Sequence, residues 1–300
     1  MNSSTALARA GLAGHPSDGY GGATLAVTLR NFAATVDVTP AATLDIAPRD
    51  DGQWPEGGQP LVAATVARFT RHCAGADLPP HGNATIRYGS TIPREVGLGG
   101  SSAIVIATLR ALAGLAGIAI EPTELAHLAL AVETKELGIA AGLQDRVVQA
   151  YEGLVFMDFE HERFEPLPAT LLPPLYLAWL PGAGSSSGAA HAAVRARFQR
   201  GERSVTAAMA TLARIAGDAR AALLAGDRAA FATALDAGYD VRASIFDLDP
   251  RHVALVGRAR DHGLSATYTG SGGAIVGVAS DADAVNALKG DGVHAVAAVI

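Results

Sequence analysis

The chain has one cysteine, Cys73, in 300 residues. A single thiol supports neither a disulfide framework nor a cysteine-based zinc site, so a buried and inert thiol is expected. Aromatic residues make up only 5%. Ala, Val, Leu and Ile must therefore pack most of the core, and the 49% hydrophobic content is enough to build one. Positive charge is not in excess. Lys and Arg number 23 against 29 Asp and Glu, a net charge of −6, which excludes a general nucleic-acid or anionic-membrane surface but not a local basic pocket. Long apolar runs are also missing. The longest, Ala103 to Ile120, carries Arg110 near its middle and glycines besides, and so fits a buried helix better than a membrane span. The opening "MNSSTALARAGLAG" has no basic stretch followed by a long apolar core. No signal peptide is expected, and the expected setting is soluble and cytoplasmic. Neither G-x-x-x-x-G-K-[ST] nor G-x-G-x-x-G occurs anywhere in the chain, which removes the two commonest phosphate-binding signatures.

What the chain does have is "PREVGLGGSSAIV", Pro93 to Val105, with Gly97, Gly99, Gly100, Ser101 and Ser102 crowded before an apolar run. Glycine is costly inside regular structure, so such a cluster marks an unusual turn or a close approach to the backbone. The stretch "NATIRYGSTIP" before it alternates and reads as a strand over 83–93 that Pro93 ends. A helix over 101–117, with Ser101 or Ser102 at its start, is predicted to follow. A strand, a glycine turn and a serine at a helix start make an anion site. The first helical amides lack partners and the dipole is positive there, and glycines let a phosphate approach. Ser102 would offer its hydroxyl to a magnesium ion. Gly99 and Gly100 are expected to reject bulk. The plain alternative is a glycine turn with a serine cap.

The rest reads as mixed α and β. Residues 23–39 form one or two strands, 60–73 a helix, "PTELAHLALAVETKELG" and "LQDRVVQAYEG" two more, and "GLVFMDF" a strand. The proline-rich 167–175 looks like a crossing between halves. A strand at "LYLAWLPG" and three helices between Ala189 and His262 come next, and the chain ends on a strand, a glycine turn and a strand over "LSATYTGSGGAIVGVA". Two domains, 1–165 and 166–300, are expected.

Three stretches in order carry a family resemblance. "PREVGLGGSSA" resembles the P-x-x-x-G-L-G-S-S-A phosphate loop of the GHMP kinases. "RAGLAGHPSDGYGG" (9–22) resembles their N-terminal motif, and "YTGSGGAIVGV" (268–278) their C-terminal glycine-rich one. "PSDGYGG", "ELGIAAGLQDRVVQAYEGLVFMDF" and "SSSGAAHAAVRARF" are similar to the glucuronokinase branch, which phosphorylates D-glucuronate at its anomeric oxygen with ATP. The resemblance implies an α+β fold. Its N-terminal domain would be like domain 2 of ribosomal protein S5, and its C-terminal domain ferredoxin-like.

It also implies roles. ATP and Mg²⁺ would be the cofactors, a small sugar the substrate, with no nucleic acid or membrane partner and a monomer or homodimer as the working form. Pro93, Gly97, Leu98, Gly99, Gly100, Ser101, Ser102 and Ala103 would cradle ATP. Asp145, in "GLQDR", matches the catalytic aspartate, which accepts or orients the sugar hydroxyl. Its alternative is a first-turn acid at a helix N-terminus. Glu133, twelve positions earlier, matches the magnesium-binding glutamate and would pair with Ser102. Glu136 competes with it, and "ETKE" also reads as an exposed helix face. Arg9 matches the first motif's arginine, which stabilises the transferring phosphoryl group or holds Asp145 ionised. Asp18, with Gly19 and Tyr20, matches the sugar-hydroxyl site, although an Asp-Gly turn would look the same. Here the chain reads "GHPSD" in place of the usual G-E-H, so the usual glutamate role is open. Gly270, Ser271 and Gly272 would close the site, and Ser186 and Ser187 would line the sugar pocket.

"GSSSG" (184–188) also fits G-x-S-x-G, a nucleophile elbow at Ser186, with Asp247 and His262 following in hydrolase order. No HGG-type oxyanion sequence accompanies it. A catalytically silent binding module is a third reading. A uronate would need a cation for its carboxylate, and Arg94, Arg146 and Arg242 are all available for that.

Overall fold

The computed structural model describes residues 1–49, 58–78, 82–182 and 187–300. Two compact units interleave along the chain. The first holds Met1–Ala8, Arg30–Ile92 and Gly99–Glu152, and the second Arg9–Leu29, Pro93–Leu98 and Gly153–Ile300.

The opening strand β1 (Asn2–Ala13) places Ala6, Ala8, Ala10 and Leu12 in the core. It pairs with β2 (Ala23–Pro40), a single strand over the region expected to hold one or two. In the first unit, β3 (Asp45–Pro48) follows, then α1 (Gly58–Gly75), which buries Val62, Val66, Phe69 and the Cys73 thiol. β4 (Ala84–Ser90) is antiparallel to β2, from Ala34 opposite Ser90 to Pro40 opposite Ala84, and parallel to β3. α2 (Gly100–Ala116) is buried along most of its length, including Ile104, Ile106, Leu109 and Leu112. A helix apolar on nearly every side must be enclosed by its own protein. α2 is packed by α1, by α3 (Pro122–Ala131) and by α4 (Gln144–Tyr151). Arg110, the polar interruption in its apolar run, donates to Glu152 and to the carbonyls of Thr5, Gln149 and Ala150. α3 starts on Pro122, whose fixed φ suits a first helical position, and it runs into one π-helical turn, Val132–Glu136.

In the second unit, β5 (Leu154–Asp158) pairs antiparallel with Ala23–Val27 of β2 on one side and with β6 (Arg163–Leu167) on the other. β7 (Leu175–Trp179) lies between two strands that come from the C-terminal end of the chain. Four helices then follow among the described residues, where three were expected: α5 (Ser187–Gln199), α6 (Arg203–Ala225), α7 (Arg228–Ala243) and α8 (Pro250–Asp261). Gly201 and Gly226, both at φ 70°, are left-handed breaks between successive helices. Asp227 then caps α7 by accepting from the Ala230 amide at 2.9 Å. The end is the expected strand, turn and strand, β8 (Thr267–Tyr268) and β9 (Ala274–Val278), followed by α9 (Ala282–Asn286) and β10 (His294–Ala297). The sheet order is β10-β7-β9-β8, antiparallel throughout. Tyr176, Tyr239, Tyr268, Leu255 and Ile275 centre its core.

Among the described residues no helix is long and apolar enough to cross a membrane.

Candidate active site

The two units each carry part of the predicted machinery. The glycine stretch divides between them: Pro93–Leu98 belongs to the second unit and Gly99 onward to the first.

In the first unit, Gly99 stands before α2 in the left-handed region, φ 72°. A residue with a Cβ is strained there. Its carbonyl accepts from the Ser102 hydroxyl at 3.1 Å, the Ala103 amide at 3.0 Å and the Gln149 side-chain amide at 3.0 Å. Ser102 is fully buried and turned onto the loop backbone. Ser101 is exposed, and its hydroxyl donates to Glu133 Oε1 at 3.0 Å. The serine that meets the glutamate is thus Ser101, where the sequence pointed to Ser102. Gly100 has an ordinary helical backbone, and a Cβ there would sit 3.6 Å from Ile92 Cγ2, a normal contact. Of the two adjacent glycines, only Gly99 needs its freedom.

Glu133 lies in the π-helical turn. Such turns occur often at functional sites because they re-aim side chains. It points inward, 2% exposed, and Oε2 accepts from Arg146 Nε at 2.8 Å and from Nη2. Glu136, the competing acid, faces the other way and pairs with Arg68 and Arg71 of α1. Arg146 also donates through Nη1 to the Gly142 carbonyl at 2.9 Å, and the same nitrogen lies 3.6 Å from Asp145 Oδ2. Asp145, in the first turn of α4, keeps 21% of its side chain exposed. One buried guanidinium therefore stands between two carboxylates, holding one fast and leaving the other at the surface. No composition or spacing signal announced this role for Arg146.

Ser101 Oγ and Glu133 Oε1, which meet at 3.0 Å, are both hard oxygens. Among the described residues no cluster of three His, Cys, Asp or Glu forms a metal cage. One carboxylate and a hydroxyl are too few to enclose an ion, but they suit Mg²⁺, which keeps waters and takes phosphate oxygens.

In the second unit, Arg9 is 5% exposed. Nη1 donates to the Gly97 carbonyl at 2.5 Å and the Thr269 carbonyl at 2.8 Å. The Thr269 hydroxyl donates to the same Gly97 carbonyl at 2.8 Å, and Arg9 and Gly11 add backbone bonds to Leu98 and Thr269. The N-terminal motif, the loop and the C-terminal glycine turn are therefore clasped together. Gly97, at φ 74°, would put a Cβ 2.9 Å from the Ser271 amide nitrogen and 3.0 Å from the Gly272 carbonyl. Gly270 would put one 2.7 Å from both Arg9 Nη1 and the Gly97 carbonyl. These glycines are the price of close packing between segments distant in sequence.

Asp18, Gly19 and Tyr20 lie in a short 3-10 turn, Ser17–Tyr20. The Tyr20 ring is 4.6 Å from that of Phe198, and Arg195 lies 5.2 Å over Tyr20 with Nη1 3.5 Å from the Gly19 carbonyl. Arg242, from α7, lies 5.1 Å from the Phe246 ring and 5.3 Å from the Tyr268 ring. Burial pushes its guanidinium down to about 10, and the nearby Tyr268 and Asp18 pull the opposite way. Burial likewise pushes the Tyr268 hydroxyl up. Ser186 lies outside the described residues. Ser187 opens α5, with its side chain outside them as well.

The chain matches the model for "GHMP kinases N terminal domain" over residues 61–153 and that for "GHMP kinases C terminal" over 219–290. It is 35% identical to Glucuronokinase 1 of Arabidopsis thaliana, over 90% of this chain and 83% of that one. It is 36% identical to Probable glucuronokinase 2 of the same plant, over 90% and 82%. Among solved structures, Lactococcus lactis galactokinase complexed with galactose superposes with a TM-score of 0.81 at 16% identity, over 100% of this chain and 93% of that one. Streptococcus pneumoniae phosphomevalonate kinase gives 0.80 at 16%, over 99% and 100%. The expected α+β fold of the GHMP kinases is the fold these structures share with this chain. The hydrolase and silent-module readings are set aside. With both halves of the family model matched, and relatives aligned along most of its length, the chain belongs to the GHMP kinases and is an ATP-dependent phosphotransferase.

Proposed function

We propose that the chain transfers the γ-phosphoryl group of ATP to the anomeric hydroxyl of D-glucuronate, giving D-glucuronate 1-phosphate and ADP. The observation that carries this reading is the alignment with two glucuronokinases over 90% of the chain. The cluster of Ser101, Glu133, Asp145 and Arg146 fits the chemistry. Phosphoryl transfer asks a protein for positioning and charge neutralisation, with a group to take or orient the acceptor's proton.

The surface-facing Asp145 accepts that proton as the sugar oxygen bonds to the γ-phosphorus and the bridging oxygen leaves on ADP. Arg146 Nη1, 3.6 Å from Asp145 Oδ2, places positive charge beside that carboxylate. Bound Mg²⁺ would neutralise charge on the transferring group, and Glu133 Oε1 and the Ser101 hydroxyl are the atoms that would hold it. Ser102 shapes the loop in place of binding metal. Gly97 to Ala103 present backbone amides at the α2 N-terminus to the phosphates. Arg9 braces the loop through Gly97. Asp18, Gly19 and Tyr20, with Gly270 to Gly272, line the sugar side. The functional halves proposed for the chain are an ATP-binding 1–165 and a C-terminal 166–300, working in the cytoplasm as a monomer or homodimer.

The test is magnesium-dependent ATP consumption with glucuronate, galacturonate, glucose, galactose and mevalonate, with the product identified by phosphorus NMR. Glucuronate should be preferred and give an anomeric phosphate. Preferred turnover of a neutral hexose or of mevalonate would overturn the substrate while leaving the family intact.

A further inference from the structure

Three arginines are candidates for a uronate carboxylate, and their surroundings separate them. Arg146 already holds Glu133 inside the first unit. Arg94 is exposed on the loop. Arg242 is 3% exposed. Among the described residues no carboxylate pairs with its guanidinium, and Nε has no hydrogen-bond partner. What surrounds it is aromatic: Phe246 and Tyr268 lie against it at 5.1 and 5.3 Å, and Tyr268 is stacked edge-on with Tyr239.

That arrangement is unusual for a purely structural arginine. Buried charges are normally paired, because an unpaired one keeps its desolvation cost. The rings touch the cation through their faces and supply no anion for its N–H fork. The fork is planar and matches a carboxylate with two parallel hydrogen bonds. Its position also fits. Asp18, on the motif that matches the sugar site, acts on Arg242 through space, as does Arg9. Tyr268 leads directly into Thr269 and Gly270, which meet Arg9. All of these belong to the second unit.

We infer that Arg242 is the receptor for the substrate's carboxylate, binding it through the guanidinium fork while the walls of Phe246 and Tyr268 hold the fork flat. This rests on the reading of the substrate as a uronate. It makes Arg242 the residue that distinguishes an acid sugar from its neutral analogue. Arg195 is the competitor, but it is exposed and engaged with Tyr20 and the Gly19 carbonyl.

The experiment compares kcat/KM for D-glucuronate and for its neutral amide, D-glucuronamide, in the wild type, Arg242→Gln and Arg195→Gln. KM for ATP and thermal unfolding are measured on each. The wild type should favour the acid by about tenfold or more, the scale of a charge-assisted hydrogen bond. Arg242→Gln should bring that ratio near one through KM for the sugar, with KM for ATP unchanged. Arg195→Gln should keep the ratio. If Arg242→Gln fails to fold, Arg242→Lys, which keeps the charge and loses the fork, takes its place and should lower the ratio severalfold. A wild type that prefers glucuronate, with the ratio preserved in the Arg242 variants, overturns this inference alone. Collapse of the ratio in Arg195→Gln, or a rise in KM for ATP with KM for the sugar unchanged, also overturns it. A wild type that does not use glucuronate overturns the proposed substrate and this inference together.

Discussion

Glu133 and Arg146 form a buried ion pair, 2.8 Å from carboxylate oxygen to Nε, with 2% and 6% of their side chains exposed. Removing one partner of such a pair leaves the other as an isolated buried charge, which typically costs about 3–5 kcal/mol. Arg146→Ala should lower unfolding free energy by that order, measured by urea denaturation. A loss below about 1 kcal/mol would mean that water or a cation readily takes the arginine's place.

Asp145 and Glu133 are both acids in one cluster, and magnesium separates their roles. Asp145→Asn keeps size and loses the accepting charge. It should lower kcat by about 10²–10⁴-fold with KM for ATP little changed. Glu133→Gln should weaken binding of the magnesium–ATP complex, and raised magnesium should partly restore activity. Titrating magnesium against both variants checks this, and rescue of the Asp145 variant alone would reverse the two assignments.

The adjacent serines should behave differently. Ser101→Ala removes the hydroxyl that meets Glu133 at 3.0 Å and should raise the magnesium concentration needed for half-maximal rate. Ser102→Ala removes a bond to the Gly99 carbonyl and should cost about 1 kcal/mol of stability while the magnesium requirement holds. The opposite pattern would return the metal role to Ser102.

Gly97 and Gly100 lie three residues apart and should tolerate an added methyl group very differently. Gly97→Ala forces a Cβ into backbone at about 3 Å with φ at 74°, so loss of stability and a raised KM for ATP are expected. Gly100→Ala meets only Ile92 at 3.6 Å and should fold and bind ATP as the parent does. Equal KM for ATP in both variants would show that the loop's backbone does not approach the nucleotide.

The loop was legible because its chemistry constrains residue type. Gly97 and Gly99 stand at positive φ, and a chain that must turn there writes glycine. The final strand, turn and strand were legible for the same reason. β1 was missed as a strand because "NSSTALARAGLA" is made of small residues with weak strand preference, and it is fixed by pairing with β2. The helix count fell short although Gly201 and Gly226 marked the breaks. The π-helical turn under Glu133 and the bond from Arg146 had no local signature, since contacts made thirteen residues apart across a loop are decided by packing. The choice of Ser101 over Ser102 had the same origin: each faces where the first turn of α2 aims it.

The clasp around Gly97 also sets the order in which the protein can be finished. Arg9 reaches 88 residues forward to Gly97 and 260 to Thr269, and Thr269 reaches back 172 to the same carbonyl. Contacts at such separations form late, because the chain entropy of closing long loops is lost before the contact repays it. A nascent chain emerging from the ribosome has written its phosphate loop by the time residue 105 is made, yet lacks the turn that braces it until Thr269 follows, 172 residues after Gly97. A chain cut short before Thr269 therefore leaves the loop without the hydrogen bonds that the Thr269 hydroxyl and carbonyl make to Gly97 and Arg9.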